Sequence, residues 1–591
     1  MTDDGTRKGT SFLGVEQSLT GRRWIGPDSE IDRAAEALVQ QTALPRPLCQ
    51  VLARRGVGAA EAELFLNPAL RDLLPDPRTF KDMDKAAARI LHALDKRERI
   101  VVFADYDVDG GSSAALLQTW FRDLGHQAAL YVPDRIDEGY GPNEEAMSTL
   151  AAYNDLIICV DCGTLSHGPI AAAQGTDVVV VDHHLGGETL PAALAVVNPN
   201  RQDESGDHGY LCAAGVVFLV LVEIGRLLRE AGRKGPDLMG YLDLVALATV
   251  ADVAPLIGVN RAFVRQGLTV MARRERPGLV ALADVAGLET SPTAYHLGYL
   301  LGPRVNAGGR IGAADLGARL LATQEPSEAT ALAERLDQLN RERRDVEAAV
   351  LAEALAQAEE RGFDAPLVWA AGEGWHPGVV GIVASRLKEA SGRPSIVIGI
   401  HDGVGKGSGR SISGIDLGLP IQRLAAEGIL LKGGGHKMAA GLTLAAEKIE
   451  AAMSRLADIL HRQGVDLSGA AALRVDGLLM PAAASLELTE SIEKAGPFGA
   501  SASAPRFVFA HMPIRFAKKV GDSHLKLSFG SADASPMEAI CFQAFESPLG
   551  NALLEHGGRH FHLAGRLDVN SWRGRSSVQL RLEDAAPVGE S

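Results

Sequence analysis

Three short runs of apolar, mostly β-branched residues shape the first third of the chain, and each ends on an aspartate. IVVFA at 100–104 runs into Asp105, LIICV at 156–160 into Asp161, and VVVV at 178–181 into Asp182. None of the three alternates with polar residues. That is the pattern of strands covered on both faces by helices, as in a parallel sheet. Helical patterns at 86–94 and 112–124 lie around the first run, and Gly125 stops the second of them. In an open α/β sheet, ligands gather at the carboxyl ends of the strands. The three aspartates are therefore predicted to line one crevice.

The rest of the chain divides by pattern. Residues 1–75 mix short helical stretches with Pro45, Pro47, Pro68 and Pro75 and read as an N-terminal appendage, before an α/β domain over 76–325. Residues 326–361 contain no glycine and no proline after Pro326, and Leu332, Leu336, Leu339, Val346 and Val350 recur at helical spacing. They predict one long connecting helix, stopped by Gly362. An α/β pattern resumes over 362–465, with apolar runs at 367–371 and 395–400 and a glycine-rich stretch from 403 to 441. Short runs at 506–510, 524–529, 561–567 and 578–582 then predict a small β-barrel over 466–591, of the kind that binds oligonucleotides. The expected fold class is α/β: two α/β domains, the first with a parallel sheet, joined by a long helix and followed by an OB-like barrel.

Composition excludes several classes. The longest apolar run, 211–222, has 12 residues, and a spanning helix needs about 20. The first residues, MTDDGTRKGT, lack the apolar core of a secretory signal. Five cysteines are too few for a disulfide framework and suggest a reducing cytoplasm. There is no G-x-x-x-x-G-K-[ST] of a nucleotide-driven motor. With 59 Lys plus Arg against 74 Asp plus Glu, the formal charge is −15. Such a chain does not coat nucleic acid by bulk charge, so any capture of a polyanion must be local.

Chemistry concentrates in four places. Asp105-Tyr106-Asp107-Val108-Asp109-Gly110 crowds three carboxylates into what reads as a post-strand loop, without a Lys or Arg among them. Such crowding raises carboxylate pKa values unless a cation compensates. The D-x-D-x-D-G start resembles a calcium loop, but Leu116 stands where that loop needs a bidentate Glu. Asp161-Cys162-Gly163 suits either a ligand-bearing turn or an ordinary one. Strand alternation puts Cys159 and Cys162 on opposite faces, which argues against their C-x-x-C as a metal site. Asp182-His183-His184 ends the third run, and adjacent imidazoles among carboxylates suit manganese. Asp252, in the apolar stretch ATVADVAPL, is a costly charge to bury without a cation.

Together DYDVDG, VDCG, VDHH and TVADVAPL, in this order, resemble the DHH phosphoesterase superfamily. Further segments, among them YVPDRIDEGYGPN, LGPRVNAGGRIGAADL, WHPGVVGIVASRL, GSGRSISGIDL and GGGHKMAAG, are similar to its single-stranded-DNA-specific exonucleases over about residues 15–585. The resemblance implies a DHH domain, a DHHA1-like domain and two divalent cations, Mn2+ or Mg2+. It implies ligands at Asp107, Asp109, Asp161, His183 and Asp252, with Asp161 bridging and Asp105 close by. Phe103 stands where some relatives carry a His. His184, Asp109 and Asp161 would carry the reaction, with His184 on the scissile phosphate and Asp182 orienting its neighbours. Substrate contacts are expected from Arg135, Tyr140, Arg304, Asn306, Arg310, Ser408, Arg410 and His436. In the barrel they are expected from Lys518, Lys519, Trp572 and Arg573, where basic residues beside an aromatic suit single strands. The implied activity is 5′-to-3′ hydrolysis of single-stranded DNA to 5′-mononucleotides in DNA repair and recombination, by a cytoplasmic monomer. A single-strand-binding protein and a helicase are the candidate partners. Two alternatives are a phosphodiesterase for short oligonucleotides or cyclic dinucleotides, and a non-catalytic DHH scaffold.

Overall fold

The computed structural model describes residues 11–134, 138–463, 472–531, 535–572 and 575–588. The chain forms two compact units, Pro75–Pro255 with Phe263–Leu467, and Met1–Leu74 with Leu256–Ala262 and Ser468–Ser591.

In the first unit the elements begin with β1 (Ile100–Ala104), α1 (Val108–Asp123), β2 (Ala128–Tyr131), β3 (Leu156–Val160), β4 (Asp177–Val181) and β5 (Ala195–Val197). The strands form one sheet in the order β2-β1-β3-β4-β5, with every neighbour parallel. All residues of β1 and β3 are buried, as their unbroken apolar runs require. One face packs Val101, Phe103, Ile157 and Cys159 against Met147 and Ile170. The other meets α1 and α2 (Ala213–Glu230). The chain steps from β1 to one side for β2 and to the other for β3, so the sheet reverses direction between them. Asp105 and Asp161 leave the sheet at that reversal, the position where α/β sheets open a crevice.

Helix α3 (Leu242–Ala251), α4 (Gly302–Ile311) and α5 (Pro326–Arg361) follow. Helix α5 is one uninterrupted 36-residue element. Its first half buries Leu332, Leu336 and Leu339, and its second half packs Val350, Ala354 and Ala358 onto the second α/β domain. That domain contains β6 (Val368–Glu373), α6 (Pro377–Ser391), β7 (Ser395–His401), β8 (Val404–Arg410), β9 (Lys432–His436) and β10 (Ala439–Ala445). Its sheet runs β9-β10-β8-β7-β6, parallel between β6 and β7 and antiparallel elsewhere. Much of the glycine-rich stretch 403–441 is thus paired strand.

The second unit holds a closed five-stranded barrel made from β11 (Phe507–Val520), β12 (His524–Phe529), β13 (Met537–Cys541), β14 (His560–Trp572) and β15 (Arg575–Pro587). Closure comes from the pairing of β11 with β14. The N-terminal segment belongs to this unit. Strand Arg23–Ile25 pairs with Ala472–Arg474, and Leu38, Leu48 and Leu52 share the core of Phe507, Phe509 and Phe529. Trp24 is fully buried and donates through Nε1 to Asp584 Oδ2 at 2.9 Å. Among the described residues no helix is long and apolar enough to cross a membrane.

Candidate metal centre

The acidic motif after β1 is expected to be a loop, yet α1 begins inside it. The Asp107 side chain accepts from the amides of Asp109 (2.9 Å) and Gly110 (3.2 Å), so the motif caps its own helix. Helix start at Val108 brings Gly110 so close to Asp105 that a Cβ would sit 2.3 Å from the Asp105 carbonyl oxygen. Asp109, on the first turn, is buried, and its two oxygens accept from the amides of Ala213 (2.6 Å) and Ala214 (2.8 Å) at the amino end of α2. The Val108 amide donates to Asn306 Oδ1 at 2.9 Å, fixing the motif from α4.

Asp161 leaves β3 with φ +60, and its amide donates to the Val181 carbonyl at 3.0 Å. This left-handed step corrects the expectation for the cysteines. Alternation fails at Asp161, so Cys159 and Cys162 pack in one buried cluster instead of on opposite faces. Burial raises both thiol pKa values. Asp182 is a hub for its neighbours. Oδ1 accepts from the His183 amide (2.7 Å) and the His184 amide (3.2 Å) and lies 2.8 Å from His184 Nδ1, while Oδ2 accepts from the Thr164 amide (3.0 Å). Burial opposes its ionisation, but the His184 hydrogen bond and charge and the Thr164 amide hold its pKa below the usual carboxylate range. Two residues that sequence reasoning missed complete the loop: Asn200 Nδ2 donates to the His183 carbonyl (2.6 Å) and Asn198 Nδ2 to the His184 carbonyl (2.8 Å). Their signal was the N-P-N directly after β5.

These arms converge. His183 Nε2 lies 3.2 Å from Asp161 Oδ1, 3.6 Å from Asp109 Oδ2 and 3.9 Å from Asp252 Oδ2. Asp252 follows the last residue of α3. Potential ligand atoms of Asp109, His183 and Asp252 lie within 4.8 Å of one another, as do those of Asp105, Asp107 and Asp161. The buried Asp161 Oδ1 accepts no hydrogen bond among the described residues. Burial first, then the neighbouring carboxylates, raise the pKa of Asp161. Burial, then Asp109 and Asp107, push Asp252 up to about 9 against the pull of His184. Asp109 is raised by burial against the opposing pull of His183. A cluster this acidic and dry fits a pair of hard divalent cations, whose charge reverses each of these shifts. Phe103 offers no ligand and packs on Tyr131, with ring centroids 5.3 Å apart. His184 Nε2 is 3.0 Å from the Tyr140 hydroxyl. Burial lowers the imidazole pKa, but the Asp182 hydrogen bond and charge carry it to about 9.

The remaining candidates fall into three groups. Tyr140 is 57% exposed beside His184. Arg310 donates to the Gly378 carbonyl at 3.1 Å, tying α4 to the second domain. In that domain Arg410 donates to Ser408 Oγ at 2.9 Å, and Ser408 lines a groove of about 780 Å³ with Lys406, Lys432 and Gly434. His436 is exposed at the end of β9. Lys518 and Lys519 are exposed on β11. The structure gives Arg304 and Asn306 different neighbours from those expected. Arg304 is 9% exposed and donates to Asp337 Oδ1 (2.9 Å) and the Leu300 carbonyl (2.7 Å), while Asn306 Oδ1 is taken by Val108. Nor do the α4 glycines open the backbone to a ligand. A Cβ on Gly309 would sit 2.4 Å from the Tyr106 ring, so that glycine makes room for the motif. Arg135, Arg573 and the Trp572 side chain lie outside the described residues.

The chain is similar to known proteins over nearly its whole length. The DHH family N-terminal domain matches residues 99–249, the DHHA1 domain 364–462 and the RecJ OB domain 475–584. The single-stranded-DNA-specific exonuclease RecJ of Dickeya dadantii is 38% identical over 569 residues, covering 92% of this chain and 96% of that protein. The chain belongs to the RecJ family. Its Escherichia coli relative of the same description is 36% identical, covering 95% of this chain and 98% of that protein. The crystal structure of RecJ with Mn2+ from Thermus thermophilus superposes with a TM-score of 0.79 at 29% identity, over 96% of this chain and 80% of that one. A Mg2+ complex of the same protein gives a TM-score of 0.72. As in the RecJ family, this chain is a metal-dependent exonuclease.

Proposed function

We propose that this chain hydrolyses single-stranded DNA from its 5′ end and releases 5′-mononucleotides with the aid of two divalent cations. The observation that carries the reading is the convergence of Asp105, Asp107, Asp109, Asp161, His183 and Asp252 into two three-ligand sets, one of which contains Asp161. Asp109, Asp161, His183 and Asp252 would hold one cation, and Asp105, Asp107 and Asp161 the other. When bound, such cations polarise the scissile phosphate and make water nucleophilic at neutral pH. The protein supplies the rest. Asp182 holds His184 Nδ1, so a protonated imidazole presents Nε2–H to a phosphoryl oxygen and stabilises the charge that builds there. Arg410, Ser408 and His436 form the wall for the terminal phosphate, and Tyr140 borders the scissile bond. On the barrel, Lys518, Lys519, Trp572 and Arg573 would bind single strand by phosphate attraction and base stacking. The same reading makes the chain a cytoplasmic monomer in DNA repair and recombination, beside a helicase and a single-strand-binding protein.

The test offers 5′-phosphorylated single strand, duplex and dinucleotide with Mn2+ to the wild type and to Asp109→Ala. Mononucleotides from the long single strand, lost in the variant, are expected. Preference for the dinucleotide would transfer the reading to a short-oligonucleotide phosphodiesterase. Failure to cleave in any metal would leave a scaffold.

A further inference from the structure

Two tyrosines that no reading above uses stand in the open on the helical segment that packs against the end of α3. Tyr295 is 57% and Tyr299 72% exposed, and their rings stack with centroids 5.0 Å apart and planes 26° from parallel. They sit on a continuous helical rod that starts at Ala294, passes through a π-turn at Leu297–Leu301 and becomes α4. Wider turns of this kind occur often at functional sites.

The rod's neighbours place it. A Cβ on Gly298 would lie 3.4 Å from Val250, and one on Gly302 would lie 3.1 Å from Ala251. The rod therefore lies against the last turn of α3, the turn that delivers Asp252. Further along, Asn306 holds the acidic motif and Arg310 reaches Gly378 of the second domain. One end is thus at the wall proposed for the 5′ phosphate, and the tyrosines are at the other end. Val253, directly after Asp252, adds a side chain 71% exposed.

We propose that Tyr295 and Tyr299 are positioning residues that stack on bases of the strand beyond the first nucleotide on the 3′ side of the scissile phosphate. The inference rests on the single-strand reading above. Exposed paired aromatics are uncommon on a surface without a partner. A base presents a flat π-face that such a pair accepts without regard to sequence. A duplex, whose bases stack on one another, offers no such face.

The test uses the full chain and four variants: Tyr295→Ala, Tyr299→Ala, the double Ala variant and the double Phe variant. With Mn2+ and a long 5′-phosphorylated strand, the double Ala variant should show a KM raised ~5- to 100-fold, from the strength of base–aromatic stacking. Its kcat should be unchanged. The Phe variant should behave as wild type, since stacking does not need the hydroxyl. Kinetics on a 5′-phosphorylated dinucleotide, too short to reach the pair, should not change, and abasic sites downstream of the cleaved bond should erase the KM difference. Binding of fluorescein-labelled oligothymidylate in EDTA reads the platform without cleavage. Unchanged affinity in the double Ala variant would overturn the inference and leave the pair to a protein partner. So would an equal loss on the dinucleotide, or failure of Phe to restore KM. Absence of wild-type cleavage with the predicted binding loss intact would instead overturn the exonuclease reading.

Discussion

Asp182→Asn is the sharpest probe of how the centre works, because Asp182 serves the site through its neighbours. Its carboxylate faces the His183, His184 and Thr164 amides and His184 Nδ1. In the variant one oxygen becomes an NH2 group. It can still satisfy part of this set, but either Thr164 or the histidine loop then meets a donor. Hydrogen bonds to a charged group contribute about 1.5–3 kcal/mol each. Removing a partner that orients a metal ligand costs about 10- to 100-fold in activity or metal affinity. Both kcat and Mn2+ affinity should fall within that range, with little change in KM. The pH profile adds an independent reading. The Asp182 charge carries the His184 pKa to about 9 against burial. The protonated ring is the donor, so kcat should be lost as pH rises through the ring's pKa, which bound cations set below that metal-free value. Without the Asp182 charge, burial lowers the value and the descending limb moves to lower pH. Mn2+ titration and kcat–pH profiles on a long single strand measure these effects. Unchanged metal affinity together with an unmoved limb would refute the role given to Asp182.

Other consequences are equally direct. Asp337→Leu or Arg304→Met alone should lower the thermal midpoint of the first unit, since breaking one side of a buried pair costs up to about 3–5 kcal/mol, less where Arg341 still pairs with Asp337. Arg304→Met with Asp337→Leu should recover much of it, and additive losses in this cycle would return Arg304 to the substrate. Gly110→Ala should abolish activity, because the Cβ would meet the Asp105 carbonyl at 2.3 Å, whereas Gly240→Ala, with nothing within 4 Å, should remain active. EDTA should stop cleavage and added Mn2+ or Mg2+ should restore it, and persistent cleavage would exclude the cation pair. The barrel should lose stability on acidification, read as a falling thermal midpoint. Burial and His511 depress the His562 pKa to about 4, so its contribution is present above about 6.5 and is lost as pH falls from there towards 4.

Much of this was legible along the chain because it depends on local pattern. Unbroken β-branched runs at 100–104, 156–160 and 178–181 can bury both faces only in a covered parallel sheet, so the strands and their terminal aspartates followed from sequence. The helix at 326–361 was legible for the same reason, with no glycine or internal proline to interrupt it. Other features required contacts between distant segments. Helix α1 starts within the acidic motif because Asp107 caps it and Asn306, almost 200 residues later, holds Val108. The positive φ at Asp161 turns two cysteines into one cluster, which no alternation rule anticipates. Arg304 reads as a phosphate ligand until α5 sets Asp337 against it. The N-terminal segment reads as an appendage until Trp24 meets Asp584 across 560 residues.

By itself, then, the sequence determined the strand ends, the acidic and imidazole donors and the long helix, because periodicity and residue chemistry are local properties. Only the tertiary structure decided which donors face one another, which arginine is already paired, and where two exposed tyrosines stand relative to Asp252. Those outcomes depend on burial and distance, which arise only when remote segments pack together.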